Sequence, residues 1–92
     1  PPPLHSSAAS DVYKRQEFIR SNFECCEKES KFLIEKKLEI PAYEKCIKAS
    51  HYFNLLDARG VLSVSERASY IKRVREISKS CCELYIKKQE NN

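Results

Sequence analysis

The sequence predicts an all-α fold, a three-helix bundle with a disordered N-terminal tail. Three observations lead there. No stretch alternates apolar and polar residues with a period of two, whereas apolar residues recur at intervals of three and four through three separate segments. The chain's only glycine, Gly60, stands where the second segment would stop, and glycine tolerates the left-handed backbone of a residue just beyond a helix end. Three residues later, Ser63-Val-Ser-Glu66 fits a capping box, in which each of the outer side chains bonds the backbone amide of the other.

The elements follow in order. Residues 1–16 combine prolines, small polar residues and a short charged string without an apolar period, so disorder is expected at least over 1–10; residues 6–16 resemble translated sequencing-adapter read-through, which would make the tail non-native, the alternative being a flexible linker from an upstream domain. The first helix is expected over 17–38, with Ile19, Phe23, Cys26, Ser30 and Leu33 on its buried face and Phe18, Cys25 and Phe32 widening the stripe. Lys36 and Lys37 would then sit at the negative pole of its dipole. The second is expected over 41–57, opened by Pro41 at its first position. Tyr43, Cys46, Ile47, Ala49, Tyr52, Phe53 and Leu56 form its buried side, with His51 beside them as a hydrogen-bonded structural histidine. Asn54, Asp57, Gly60, Ser63 and Glu66 make the corner. The third helix is expected over 64–88, with an apolar line through Val64, Ala68, Ile71, Val74 or Arg75, Ser78, Cys81 or Cys82 and Tyr85 that Ile77 and Leu84 broaden.

A 92-residue chain has room for one small domain. Its core supplies about 3–5 kcal/mol, so it is expected to lean on a larger body. With no methionine, even at position 1, it is expected to be a fragment of a longer protein. No segment is apolar enough for a membrane span or a signal peptide, which makes cytoplasm the default location. The five cysteines show no C-x-x-C spacing and are read as small hydrophobes, not as a metal site. One glycine supports neither a P-loop nor a dinucleotide fingerprint, and no serine or cysteine has a histidine and an acid at a credible spacing. No catalytic residue is assigned. The net charge is +4, and residues 63–92 hold seven basic and four acidic residues, so the excess gathers on the last helix. That balance permits an anionic partner such as RNA without demanding one.

Phe53-Asn-Leu-Leu-Asp-Ala-Arg-Gly60, then Ser63-Val-Ser-Glu-Arg67 and Tyr70-Ile-Lys-Arg-Val-Arg75, in that order and spacing, resemble the C-terminal helical domain of the bacterial glycyl-tRNA synthetase α subunit. The likeness extends upstream through Phe23, Glu27-Lys-Glu29 and Pro41-Ala-Tyr-Glu44, and covers roughly 17–88. The chain departs from the family pattern at Cys25-Cys26 and Cys81-Cys82, and the connection before Pro41 is shorter, differences that concern packing and loop geometry.

The resemblance implies a parent enzyme that activates glycine with ATP and Mg2+ to glycyl-adenylate and transfers it to the 3′ end of glycine tRNA. The fragment itself is expected to hold no cofactor and no active site. It would brace the catalytic domain, the β subunit or the tRNA acceptor stem, with a second α subunit in the assembly and neither DNA nor a membrane as partner. Arg59, Arg67, Lys72, Arg73 and Arg75 are the candidates for tRNA contact, because the planar fork of arginine matches phosphate oxygens; the alternative for some of these arginines is to pair with Asp57, Glu66 or Glu76. Asp57 and Arg59 are expected to fasten the corner. The alternative is a free-standing helical module that binds nucleic acid or protein, since a six-residue corner superficially resembles a helix-turn-helix.

Overall fold

The computed structural model describes the backbone of residues 2–91 and the side chains of residues 10–91. Three helices make up the chain: α1 (Pro2–Glu35), α2 (Glu39–Ala58) and α3 (Val64–Glu90), with no strand among the described residues. The all-α, three-helix architecture is the expected one, but every helix boundary differs from the sequence reading by at least one residue except the start of α3. Helix α1 begins well ahead of residue 17, because Asp11-Val-Tyr-Lys-Arg-Gln16 contains no breaker and local propensity carries the helix on. Residues 10–16 nevertheless add nothing to the core: all are exposed except half-buried Gln16. The expectation of disorder over 1–10 falls mostly on residue 1 and on the side chains of 2–9, which lie outside the described residues.

The first helix ends at Glu35 rather than 38. Lys37 takes a left-handed conformation, φ 63°. Its N–H donates to Ile34 O at 2.9 Å and that of Leu38 donates to Leu33 O at 2.9 Å, the paired bonds of a Schellman stop. Lys37 therefore occupies the place a glycine normally fills, and a lysine Cβ there is strained. We expect Lys37→Gly to raise stability by about 0.5–1 kcal/mol, read as a higher urea midpoint at unchanged slope. Helix α2 starts at Glu39, two residues before the expected Pro41, with the Ala42 N–H bonded to Leu38 O at 3.0 Å. Pro41 still lies in the first turn, where its missing N–H would have had no intrahelical acceptor.

The core is a narrow seam. Ala42, Cys46, Ala49, Phe53 and Leu56 of α2 are buried at intervals of 4, 3, 4 and 3, the spacing of a helix lying in the groove between two others. Ile19, Phe23 and Ser30 of α1 and Tyr70, Ile77 and Cys81 of α3 meet them. Ser30 Oγ donates to the Ala42 carbonyl at 2.8 Å in the buried interface, so two small residues let α1 and α2 approach closely. Phe23 stands edge-on to Tyr70 with centroids 4.7 Å apart, and Phe53 stacks on Tyr70 at 6.0 Å.

The sequence reading made each stripe too wide. Phe18, Cys25 and Phe32 of α1, Tyr43 and Ile47 of α2, and Val64, Ala68 and Tyr85 of α3 are exposed. Each helix of a three-helix arrangement meets its neighbours over only part of its circumference, so flanking apolar residues fall outside. His51 is exposed too, its ring 5.8 Å from that of Tyr52, rather than tucked beside the buried face. Conversely Tyr70 and Glu27 are buried, and neither was counted as core from the sequence.

Candidate nucleic-acid interface

The corner between α2 and α3 is built as the residues specify. Gly60 follows the helix end with φ +68°, and its N–H donates to Asp57 O at 3.0 Å. A Cβ at Gly60 would meet nothing within 4 Å, so the position demands glycine for its backbone angle and not for space. The capping box is complete: the Glu66 N–H donates to Ser63 Oγ at 3.1 Å and the Ser63 N–H donates to Glu66 Oε1 at 3.1 Å. These bonds, and the Arg20 guanidinium beside the other oxygen, hold the Glu66 carboxyl below the usual carboxylate range. Arg20 Nη1 lies 3.2 Å from Glu66 Oε2 and 3.4 Å from Tyr70 Oη, which ties α1 to the first two turns of α3. Asn54, by contrast, is exposed.

The five basic candidates separate into three groups. Arg73 faces inward. Its guanidinium makes a two-bond fork with the Glu27 carboxylate, Nε to Oε2 at 2.9 Å, and lies 4.9 Å from the Phe23 ring centroid and 5.3 Å from that of Tyr70. Glu27 is 7% exposed, and the Arg73 hydrogen bonds, outweighing the opposing effect of burial, hold its carboxyl below the ordinary value. Arg67 spans the corner, with Nε 3.0 Å from Asp57 Oδ1. Asp57 thus fastens the corner through Arg67; Arg59 is exposed at the α2 C-cap and has no ion pair among the described residues.

Lys72 and Arg75 also extend into solvent without an ion pair among the described residues. Together with Arg67 and Lys79 they line one shallow groove on α3, to which Val64, Ala68, Ile71 and the carboxylate of Glu76 also contribute. Lys79, absent from the sequence-based set, belongs to this face by its i+4 and i+7 offsets from Arg75 and Lys72; its contact with Glu83 is 3.9 Å long and fully solvated, too weak to withdraw its charge. The structure therefore gathers Arg67, Lys72, Arg75 and Lys79, turns Arg73 to the opposite side, and leaves Arg59 outside the groove.

The cysteines make no comparable site. All five are free; Cys46 and Cys81 are buried, Cys26 is half-buried, and Cys25 and Cys82 are exposed. Burial pushes the Cys46 thiol up to about 11, which leaves almost no reactive thiolate at neutral pH. Among the described residues no group of three or more His, Cys, Asp or Glu side chains is gathered, and no helix is long and apolar enough to cross a membrane.

The profile of the glycyl-tRNA synthetase alpha subunit family matches residues 5–90 of the chain. Relatives from two strains of Rickettsia bellii, each called a glycine–tRNA ligase alpha subunit, are 48% identical over 66 residues, a span that takes in 72% of this chain and 23% of theirs. The chain thus corresponds to less than a quarter of the length of the relatives it matches. A corner built from the residues of the resemblance, and a match running almost from end to end, lead to one conclusion: the chain belongs to the glycyl-tRNA synthetase alpha subunit family.

Proposed function

We propose that this chain is the helical portion of a glycine–tRNA ligase α subunit, and that the α3 groove lined by Arg67, Lys72, Arg75 and Lys79 lies against the phosphate backbone of glycine tRNA. The reaction of the whole enzyme, ATP-dependent activation of glycine followed by transfer to tRNA, belongs to the part of the polypeptide outside this chain, with its ATP and Mg2+. A β subunit and a second α subunit complete the assembly in this reading. The observation that carries the tRNA assignment is that Lys72 and Arg75 share one exposed face of a helix and have no ion-pair partner among the described residues. Basic side chains without internal partners can exchange counterions for phosphates, and a helix fixes their spacing.

The alternative of a DNA-reading helix-turn-helix is disfavoured by the same geometry. A recognition helix presents polar side chains of its first turns to base edges. Here Ser63 and Glu66 are engaged with each other, Glu66 also with Arg20, and Arg67 with Asp57.

Fluorescence anisotropy of the chain with labelled glycine tRNA, measured from 50 to 300 mM salt, tests the assignment. We expect affinity to fall with salt, and Lys72→Ala combined with Arg75→Ala to weaken binding roughly tenfold and flatten the log–log salt slope by about 2. Binding that is salt-independent, or unchanged in the double variant, overturns it.

A further inference from the structure

A second groove lies at the other end of α3, where the start of α2 crosses its last turns. Ile40 and Tyr43 of α2 and Tyr85 and Ile86 of α3 form its walls, with buried Cys81 beneath and exposed Cys82 at its edge. Ile40 and Ile86 are 58% and 56% exposed, and the lining is almost wholly apolar. Glu39 also lines it, and its Oε2 lies 2.6 Å from Lys88 Nζ. None of the lining residues is a cation that could hold an anion or a nucleic acid. An apolar segment of protein is the occupant that the chemistry fits.

We infer that this groove seats the part of the synthetase α polypeptide that the relatives possess and this chain does not, an inference that rests on the synthetase reading above. More than three-quarters of the relatives' length lies outside the matched segment. Among the described residues few large apolar side chains are fully enclosed, namely Phe23, Leu56 and Ile77. A domain with so thin a core gains from covering an apolar wall on a larger body. Docking at the end of α3 far from Arg67 leaves the basic groove open, so the two surfaces divide one helix between protein and RNA.

The exposed cysteines provide the test. Cys82 borders the groove, whereas exposed Cys25 belongs to α1 and is not part of it. Iodoacetamide alkylation of each site, followed by peptide mapping, is compared between the free chain and a full-length Rickettsia bellii α subunit in which this chain replaces the matching segment. We expect Cys82 to react at least tenfold more slowly in the full-length protein, Cys25 to react equally in both, and Tyr43→Lys to restore Cys82 labelling. Far-UV circular dichroism checks that this exposed substitution leaves helicity intact. Equal Cys82 rates in the two proteins, or protection that survives Tyr43→Lys, overturn the proposal. So does Cys82 labelling of the free chain that slows as its own concentration rises, for the occupant would then be a second copy. tRNA binding that is salt-independent, or unchanged in the Lys72→Ala/Arg75→Ala variant, with Cys82 protection retained would sink the RNA assignment alone.

Discussion

Truncating Phe23 to alanine is expected to unfold the chain at room temperature. The ring is completely buried, edge-on to Tyr70 and beneath the Arg73 guanidinium. Phe→Ala in a core removes transfer free energy and leaves a cavity, together about 3–5 kcal/mol. A domain of this size holds a total stability of about the same amount, so the loss is not absorbed. The neighbours cannot close the gap cheaply, because Tyr70 is also packed against Phe53 and Arg73 is fixed by its fork on Glu27. Far-UV circular dichroism should show most of the helical signal lost at 25 °C. Phe23→Leu, which keeps most of the volume, should remain folded with a lower melting temperature. A Phe23→Ala protein that melts cooperatively within a few degrees of the parent would show that the seam does not hold the three helices together.

The second large effect is expected at the Glu27–Arg73 pair. Glu27 is almost fully enclosed, and Arg73 is its only two-bond partner; Lys31 lies 3.9 Å away and mostly in solvent. Arg73→Ala leaves a buried carboxylate without adequate compensation and removes a cation from above two aromatic rings. We expect a loss of about 3 kcal/mol, at the lower end for a broken buried pair because the Arg73 side chain is 31% exposed. Arg75→Ala, two residues on and on the solvated face, should change stability by less than about 0.5 kcal/mol.

The same pair sets a pH dependence. Arg73 holds the folded-state pKa of Glu27 below its ordinary 4.5. The contribution is therefore fully present above pH 4.5 and is lost as pH falls through the depressed value, since the unfolded chain takes up the proton first. Urea midpoints measured from pH 7 downward should fall across this window in the parent, and by less in Glu27→Gln. An equal acid decline in both would place the sensitivity elsewhere.

The stop and the start at the corner were legible in the sequence because both are chosen within a few residues, whereas the pairing of Asp57 with Arg67 in place of the expected fastening by Arg59 was not. Gly60 needs only its own backbone freedom, and Ser63 and Glu66 satisfy each other's amides, so no distant contact is required to form either feature. The heptad-like spacing of Cys46, Phe53 and Leu56 was legible for a related reason, since a helix projects every third or fourth residue to one side.

The roles of the basic residues were not legible in this way. Arg67, Lys72, Arg73 and Arg75 look alike as a string, yet one turns inward to Glu27, one bridges to Asp57 and two face solvent. Glu27 lies 46 positions from Arg73, and no local pattern marks a carboxylate as the future partner of an arginine on another helix. Stripe width escaped for the same cause: whether Phe18 or Tyr43 is covered depends on how far the neighbouring helix wraps around it.

From its residues alone the chain determined three helices, the place and chemistry of the turn between the last two, and kinship with a synthetase subunit, because helix periodicity, capping and a short ordered motif are properties of neighbours in sequence. Only the tertiary structure decided which arginine is buried, which basic side chains share a groove and which apolar residues remain uncovered. Those outcomes are set by the rotation and separation of packed helices, and elements distant in sequence fix them only when they meet.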